Sequence, residues 1–451
     1  DVPPALVSFA VTTGDIKDVL SPEFKASGNK VFLISPEYDK NGLPTAASLK
    51  EIFKKIYALI KAGKVLSCYT PGMGGIAEAV LKMSMGNKIG FEFSDNLSKE
   101  DIFGYNYGSF ILEAKEDIAD ALFVGKTTNK NEISYKGDKV AFDKIYKAYE
   151  DKLESVFSCN IPYENKEIEN FSYNKRSLAV RKESAAKPKI LIPVFPGTNC
   201  EFDTAKAAAR AGARPEIFVI NNLSSKGIEE SVSAFAKKIK ESQIIFVPGG
   251  FSGGDEPDGS GKFITAFFRN EEIKEAVSEL LDVKMGLMGG ICNGFQALIK
   301  LGLVPYGKII DTDENCPTLT FNTIGRHQSK IVRTRVSSVN SPWLLNTEVG
   351  DIYNVAISHG EGRFLASDEL VKKLASNGQI ITQYVDLSGN ATYDIDFNPN
   401  GSNFAVEGIC SPDGRVFGKM GHSERIDDGL YKNVEGSYDM KLFESAVKYF
   451  K

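Results

Sequence analysis

The sequence predicts an α/β protein. A doubly wound, mostly parallel sheet is expected over 188–451, preceded by an α+β domain over 1–158. Two observations carry this. From residue 188 onward, short apolar runs alternate with stretches of helical spacing, and the runs end in Gly- or Pro-rich turns. Before residue 159, strand-like runs and helices follow no strict alternation. The stretch 159–187 between them is weakly apolar, rich in Asn, Lys, Glu and Ser, and closes on Ala185-Ala186-Lys187-Pro188. It reads as a linker.

Size and composition agree. The 451 residues suffice for two or three domains at roughly 100–200 residues each. Hydrophobic content of 42% and charged content of 25% describe an ordinary globular chain. A net charge of −5 offers nothing to attract nucleic acid or an anionic membrane surface. No apolar run approaches the ~20 residues that cross a bilayer, and no signal peptide precedes the first strand. The chain starts at Asp1 rather than Met, so a processed chain or a piece of a longer one is expected. Six cysteines (68, 159, 200, 292, 316, 410) are widely spaced, with neither CxxC nor zinc-ligand spacing. They read as reduced thiols of a cytoplasmic protein with no metal site.

In the first domain, Val7-Ser8-Phe9-Ala10-Val11 alternates like a strand, and 30–35 is an apolar run. Residues 46–62 carry Leu49, Ile52, Phe53, Ile56, Leu59 and Ile60 at helical spacing, with Gly63 as the stop. Strand 65–69, helix 77–85, strands 91–93 and 107–112 and a long amphipathic helix over 139–157 complete it. No internal repeat appears.

In the second domain, the strand 189–195 leads to Pro196-Gly197-Thr198-Asn199-Cys200 and a helix over 203–211. Strand 214–220, helix 228–240 and strand 243–247 follow, then the loop Pro248-Gly249-Gly250-Phe251-Ser252-Gly253-Gly254-Asp255 and helices over 262–269 and 273–281. Past Pro305 the chain turns β-rich, with strands at 330–336, 351–357, 379–385, 404–409 and 415–420, and it ends in an amphipathic helix over 438–450. Doubly wound sheets bind ligands beyond the carboxyl ends of their strands. The loops after Phe195 and Val247 and the one at Cys292 should therefore line one crevice.

The chemistry centres on 283–302. An apolar run ends at Gly289-Gly290, Cys292 follows, and Gly294, Phe295, Leu298 and Ile299 begin a helical pattern. A residue at such a strand–turn–helix junction is strained and accessible, and the flanking glycines permit the backbone. The first helical turn favours a thiolate. Cys292 thus reads as an exposed, activated nucleophile. The competing reading is a buried cysteine at a strand end. A nucleophile needs a base and an orienter. With three histidines in the chain, two pairs qualify: His422 with Glu424, and His359 with Glu361, since residues i and i+2 of an extended stretch point the same way. A surface polar turn is the rival for each. His327 has no nearby carboxylate. Oxyanion donors would come from the amides of Gly249, Gly250 and Phe251 and from Asn293. A phosphate cradle is the weaker reading of that loop, which fits neither GxGxxG nor GxxxxGK[ST].

Gly290-Ile-Cys292-Asn-Gly-Phe-Gln296, Gly421-His422-Ser-Glu424 and the Pro-Gly-Gly loop resemble a class I glutamine amidotransferase domain. Adding Ser358-His359-Gly-Glu361-Gly-Arg363 and Asn398-Pro-Asn-Gly-Ser402 narrows the resemblance to the glutaminase part of the phosphoribosylformylglycinamidine synthase family, of purine biosynthesis, over about 188–451. The resemblance implies a flavodoxin-like sheet and takes the C-terminal histidine as the base. The triad becomes Cys292, His422 and Glu424, with Gln296 helping to place glutamine and His359, Glu361 and Arg363 lining the site. The glutaminase step needs no cofactor. The full synthase of the family uses ATP and Mg²⁺ to activate formylglycinamide ribonucleotide, in a synthetase region preceding this chain that becomes its implied partner. Ser423 stands where the family usually has proline. Residues 1–158 resemble, more weakly, the C-terminal half of the aminoimidazole-ribonucleotide-synthetase fold through Ser67-Cys-Tyr69-Thr-Pro-Gly72-Met73-Gly74-Gly75. Tyr69, Thr70 and Met73 replace that family's polar residues, which favours a structural role for the loop. The rival from another class is a cysteine hydrolase or peptidase on the same scaffold. A third is a domain with no activity.

Overall fold

The computed structural model describes residues 6–163, 166–252, 260–427, 429–431 and 434–451. The chain forms two compact units, Asp1–Ser158 and Cys159–Lys451.

The first unit is built on β1 (Lys30–Ile34), β2 (Ser67–Tyr69), β3 (Gly90–Phe93), β4 (Phe110–Ala114), β5 (Leu122–Thr128), β6 (Glu132–Tyr135) and β7 (Asp138–Ala141), in the order β2-β4-β1-β5-β3-β6-β7. All neighbours are antiparallel except β3 and β6. The continuous apolar run of β1 is explained by burial on both faces. Val31 and Leu33 pack with Ile76, Val80 and Met83 of helix Gly75–Asn87, while Phe32 and Ile34 pack with Ile52 and Ile56 of helix Ala46–Lys61. The buried Glu113 of β4 is satisfied by the amide of Lys25 (2.8 Å), Asn29 Nδ2 (2.7 Å) and Ser67 Oγ (2.7 Å).

Two expectations fail here. The alternating stretch 7–11 forms no strand, and Val7, Phe9 and Val11 are exposed. Alternation describes a half-buried strand only where another strand pairs with it. The helix expected over 139–157 is Phe142–Glu150 with a 3₁₀ turn at Asp151–Leu153. Residues 139–141 belong instead to β7, because Lys136 (φ 46°) and Gly137 (φ 89°) make a two-residue hairpin turn pairing Tyr135 with Asp138.

The second unit carries β8 (Lys189–Val194), β9 (Arg214–Val219), β10 (Ile244–Val247), β11 (Leu287–Ile291), β12 (Thr318–Thr320), β13 (Gln328–Val336), β14 (Ile352–His359), β15 (Arg363–Leu365), β16 (Ile380–Tyr384), β17 (Val406–Cys410) and β18 (Val416–Lys419). Nine form one sheet in the order β14-β13-β16-β17-β18-β11-β10-β8-β9, and β12 pairs with β15 apart from it. From β18 to β9 all pairings are parallel, and from β18 to β14 all are antiparallel. The β-rich part therefore extends the parallel sheet. Alternating directions leave the carboxyl ends of β8, β10, β11, β18 and β14 on one edge. In a flat sheet β14 would stand four strand spacings, about 19 Å, from β18. The amide of His422 nevertheless donates to Ala356 O of β14 at 2.9 Å, so the antiparallel half curls back over the turn that follows β18.

The core centres on Trp343, whose rings meet Phe246, Phe417 and Phe443. Segment 159–187 has no helix or long strand among its described residues, yet it is tied to this unit. The amide of Phe171 donates to Gln383 Oε1 (2.9 Å), Tyr173 bridges to Ser338, and the amide of Ala185 donates to Phe450 O (2.9 Å). No helix among the described residues is long and apolar enough to cross a membrane.

Candidate active site

Cys292 lies between β11 and helix Asn293–Lys300 with φ 51° and ψ −109°, a conformation that non-glycine residues rarely hold. Packing maintains it. The Cys292 amide donates to Lys419 O at 2.9 Å, and its carbonyl accepts from the Gln296 amide at 3.0 Å. Gly294 lets the helix start against β10, since a Cβ there would come 2.0 Å from Val247 O. Cys292 is 4% exposed, which corrects the expectation of an exposed nucleophile. Loops from several strand ends close over it: Sγ lies 3.8 Å from Ser358 O after the curl of β14. Gly249 fits the remaining space, because a Cβ there would meet His422 Cε1 at 2.8 Å, Cys200 Sγ at 3.1 Å and Cys292 Cβ at 3.4 Å.

The two His-x-Glu pairs behave differently. His422 Nδ1 and Glu424 Oε1 are 2.6 Å apart and buried. Burial alone would push the His422 imidazole down. The Glu424 carboxylate and the Cys200 and Cys292 sulfurs outweigh it and hold the imidazole well above its ordinary value. With Nδ1 committed to Glu424, Nε2 is the nitrogen left for proton transfer. His359 and Glu361 are also buried, but Glu361 Oε2 accepts from the Ser260 amide at 2.8 Å, and neither ring nitrogen of His359 has a partner among the described residues. Burial, with His422 and His327 nearby, pushes the His359 imidazole down to about 3. With its proton affinity lowered by burial and no carboxylate to orient it, it is the weaker candidate for a base. The rings of Phe251 and His327 lie 5.9 Å apart, and His327 Nε2 is 3.0 Å from Ser358 Oγ.

The loops after β8 and β10 meet as expected, with Thr198 bridged to Gly250 and the Asn199 amide donating to Gly249 O at 3.3 Å. The Phe251 amide is committed to Gly197 O (2.8 Å), so of the expected donors it is the one already bonded within the loops. Gly253, Gly254 and Asp255 lie outside the described residues. Asn293 Oδ1 accepts from Ser252 Oγ (2.6 Å), and its Nδ2 donates to Gln296 Oε1 (2.9 Å). Gln296 Nε2 in turn donates to Glu361 O (2.5 Å), so Gln296 joins the nucleophile's helix to the 358–363 loop. Arg363 Nε donates to Gly401 O (3.2 Å).

Sequence reasoning missed several members. Asn322 holds the 358–363 loop, donating through Nδ2 to His359 O (2.8 Å) and accepting from the Gly362 amide (3.1 Å). Asn400 donates to Gly362 O (2.7 Å), which gives the Asn-Pro-Asn-Gly-Ser motif its role here. Cys200 Sγ lies 3.9 Å from His422 Nδ1 and accepts from Arg425 Nη2 at 3.1 Å. Its place at a strand's carboxyl end was the available signal. Ligand atoms of Cys200, His422 and Glu424 fall within 4.8 Å of one another. The guanidinium of Arg425 on Cys200 opposes a cation there.

Residues 187–450 match the model of the CobB/CobQ-like glutamine amidotransferase domain. The chain is 33% identical over 286 residues to phosphoribosylformylglycinamidine synthase subunit PurQ of Methanococcus maripaludis, covering 58% of this chain and 97% of that one. It is 37% identical over 251 residues to the subunit of the same name from Treponema denticola, covering 53% and 88%. Among solved structures it is similar to PurLQS from Thermotoga maritima, with 26% identity, a TM-score of 0.42 and coverage of 59% of this chain and 100% of that one.

Proposed function

The chain belongs to the CobB/CobQ-like glutamine amidotransferase family, and from this we propose that it is the glutamine-hydrolysing, ammonia-supplying part of a phosphoribosylformylglycinamidine synthase. The observation that carries the catalytic assignment is Cys292 in its strained turn beside an imidazole bound to Glu424 at 2.6 Å. Cys292 Sγ attacks the side-chain amide carbon of glutamine. The oxyanion that forms is met by the amides of Gly250 and Asn293. His422, which takes the proton from sulfur, delivers it to the leaving nitrogen, and ammonia departs. His422 then takes a proton from water, which attacks the γ-glutamyl thioester and releases glutamate. Glu424 fixes the tautomer throughout. Gln296 supports the glutamine pocket through its bonds to Asn293 and Glu361.

Glutamine hydrolysis on these residues needs no cofactor. ATP and Mg²⁺ belong to the ligase step that consumes the ammonia. The stretch 67–75 does not suit them. Met73 is exposed, the Gly74 amide is taken by Glu78 Oε2 at 2.8 Å, and the stretch has no carboxylate for a metal. ATP, Mg²⁺ and formylglycinamide ribonucleotide are assigned to a synthetase partner, with unit Asp1–Ser158 as part of that partner's scaffold.

Incubation with glutamine and, separately, with casein tests the reading. Ammonia should form from glutamine, and Cys292→Ala should abolish it. A glutamine-like diazoketone should label Cys292 among the six cysteines. New amines from casein, or label on Cys200 or Cys68, would overturn it.

A further inference from the structure

We propose that the buried Lys419–Glu407 ion pair is a positioning device that holds the nucleophile and the turn carrying its base in one geometry. The proposal rests on the assignment of Cys292 and His422 above. Lys419 ends β18, in register with Ile291 of β11 on one side and Gly408 of β17 on the other. Its carbonyl accepts the Cys292 amide at 2.9 Å. Its side chain is 1% exposed, with Nζ 3.5 Å from Glu407 Oε1. The same ammonium donates to Ser423 Oγ, between His422 and Glu424, at 2.9 Å. One residue thus grips the nucleophile's backbone with its main chain and the base's turn with its side chain.

Glu407 completes the clamp. Its Oε2 accepts from Thr382 Oγ1 at 2.5 Å, its Oε1 accepts from the Gly421 amide at 2.6 Å, and its carbonyl accepts from the Met420 amide at 3.2 Å. The His422 amide is held from the far side by Ala356 O at 2.9 Å. Residues 420–423 therefore each have a fixed partner, at 423 through the side chain that Lys419 holds. Stability alone does not explain the charges, because apolar residues of similar volume commonly replace a buried ion pair without loss. Directional bonds do. Ser423 and the Gly421 amide flank His422, and a donor and an acceptor reach them from adjacent strands. Misplacing a catalytic group by about 1 Å can lower a rate about 10²-fold, so a restraint on this turn acts on catalysis.

The test combines Lys419→Met and Glu407→Gln, because either alone leaves a buried charge unpaired and can unfold the chain. The paired variant keeps an acceptor for the Gly421 amide and loses the tether to Ser423. Its melting temperature should match the parent's, its KM should stay within about twofold, and its kcat should fall about tenfold, a fraction of what misplacement can remove. Ser423→Ala should act in the same direction with a smaller effect. A merely structural role is separated by repeating the paired substitution in a His422→Ala background. A device acting through His422 should there add less than about a twofold loss, because residues that act as a unit are non-additive. An unchanged kcat in the paired variant, or the full tenfold loss repeated without His422, would overturn the proposal. Hydrolysis that survives His422→Ala intact would instead overturn the assignment of the base, and this proposal with it.

Discussion

Segments 358–363 and 420–425 look alike in sequence and differ in what their histidines can do. Each places a carboxylate two residues after a histidine, and each histidine is buried at the same edge of the sheet. In 420–425 the carboxylate turns onto the imidazole. In 358–363 it turns away to the Ser260 amide, while Asn322 and Asn400 hold the loop by its backbone. Spacing therefore permits a His–Glu pair without requiring one. A buried carboxylate takes whichever donors the surrounding elements supply. The outcome sets opposite electrostatics, with one imidazole held well above its ordinary value and the other down to about 3.

The largest expected break of the symmetry is catalytic. His422→Ala should lower kcat for glutamine hydrolysis by about 10²–10⁴-fold, the contribution of a general base. His359→Ala should lower it by less than about tenfold, since it removes an imidazole of weakened basicity that no carboxylate orients. Steady-state ammonia release decides the matter, and the reverse ranking would exchange the two segments' roles.

A second measurement sharpens the comparison through stability. The folded-state value of His422 lies above the unfolded value of about 6.5. Its stabilising contribution is therefore complete below about pH 6.5 and is lost as pH rises through the folded value. His359 is the mirror case. Its folded value is about 3, so between about pH 6.5 and 3 the unfolded chain binds the extra proton and stability falls as pH falls. Melting temperatures across pH should show His422→Gln flattening the alkaline side and His359→Gln flattening the acid side. The same flank changing in both variants would contradict the difference between the two sites.

A smaller effect tests how the 358–363 loop is held. Asn322→Ala removes a donor to His359 O and an acceptor for the Gly362 amide. It should destabilise the chain by about 1–3 kcal/mol, the usual consequence of leaving buried polar groups unpaired, as measured by denaturant unfolding. The smallest effect is expected at Arg363, half-buried and bonded to Gly401 O. Arg363→Ala should change stability by no more than about 0.5–1.5 kcal/mol, the net worth of one hydrogen bond.

Much of the second unit was legible because its signals are local. The glycines around Cys292 mark a strand–turn–helix junction from a few residues, and the apolar runs of β8, β10 and β11 stand out without their partners. The hairpin of β6 and β7 was also written locally, in Lys136-Gly137, but the helical spacing of the residues beyond masked it. Helix Asp368–Ser376, capped by Ser367 and carrying Leu370, Val371, Leu374 and Ala375 at helical spacing, was legible too but was passed over in a stretch read as β-rich. Residues 7–11 show the opposite error, an alternating pattern with no strand beside it.

By itself the sequence carried the alternating strands and helices of the parallel half-sheet, the edge where the candidate site gathers and the strand–turn–helix setting of Cys292, because periodicity, glycine-permitted turns and helix starts act over a handful of residues. Tertiary structure alone decided which histidine is bonded to its carboxylate, that Cys292 is enclosed, and that Lys419, Glu407, Cys200 and Asn322 reach the segments carrying Cys292, His422 and His359. These follow from the curl of the antiparallel strands, which brings β14 onto the turn after β18. A hydrogen bond between residues tens of positions apart depends on that curl, and no spacing along the chain encodes it.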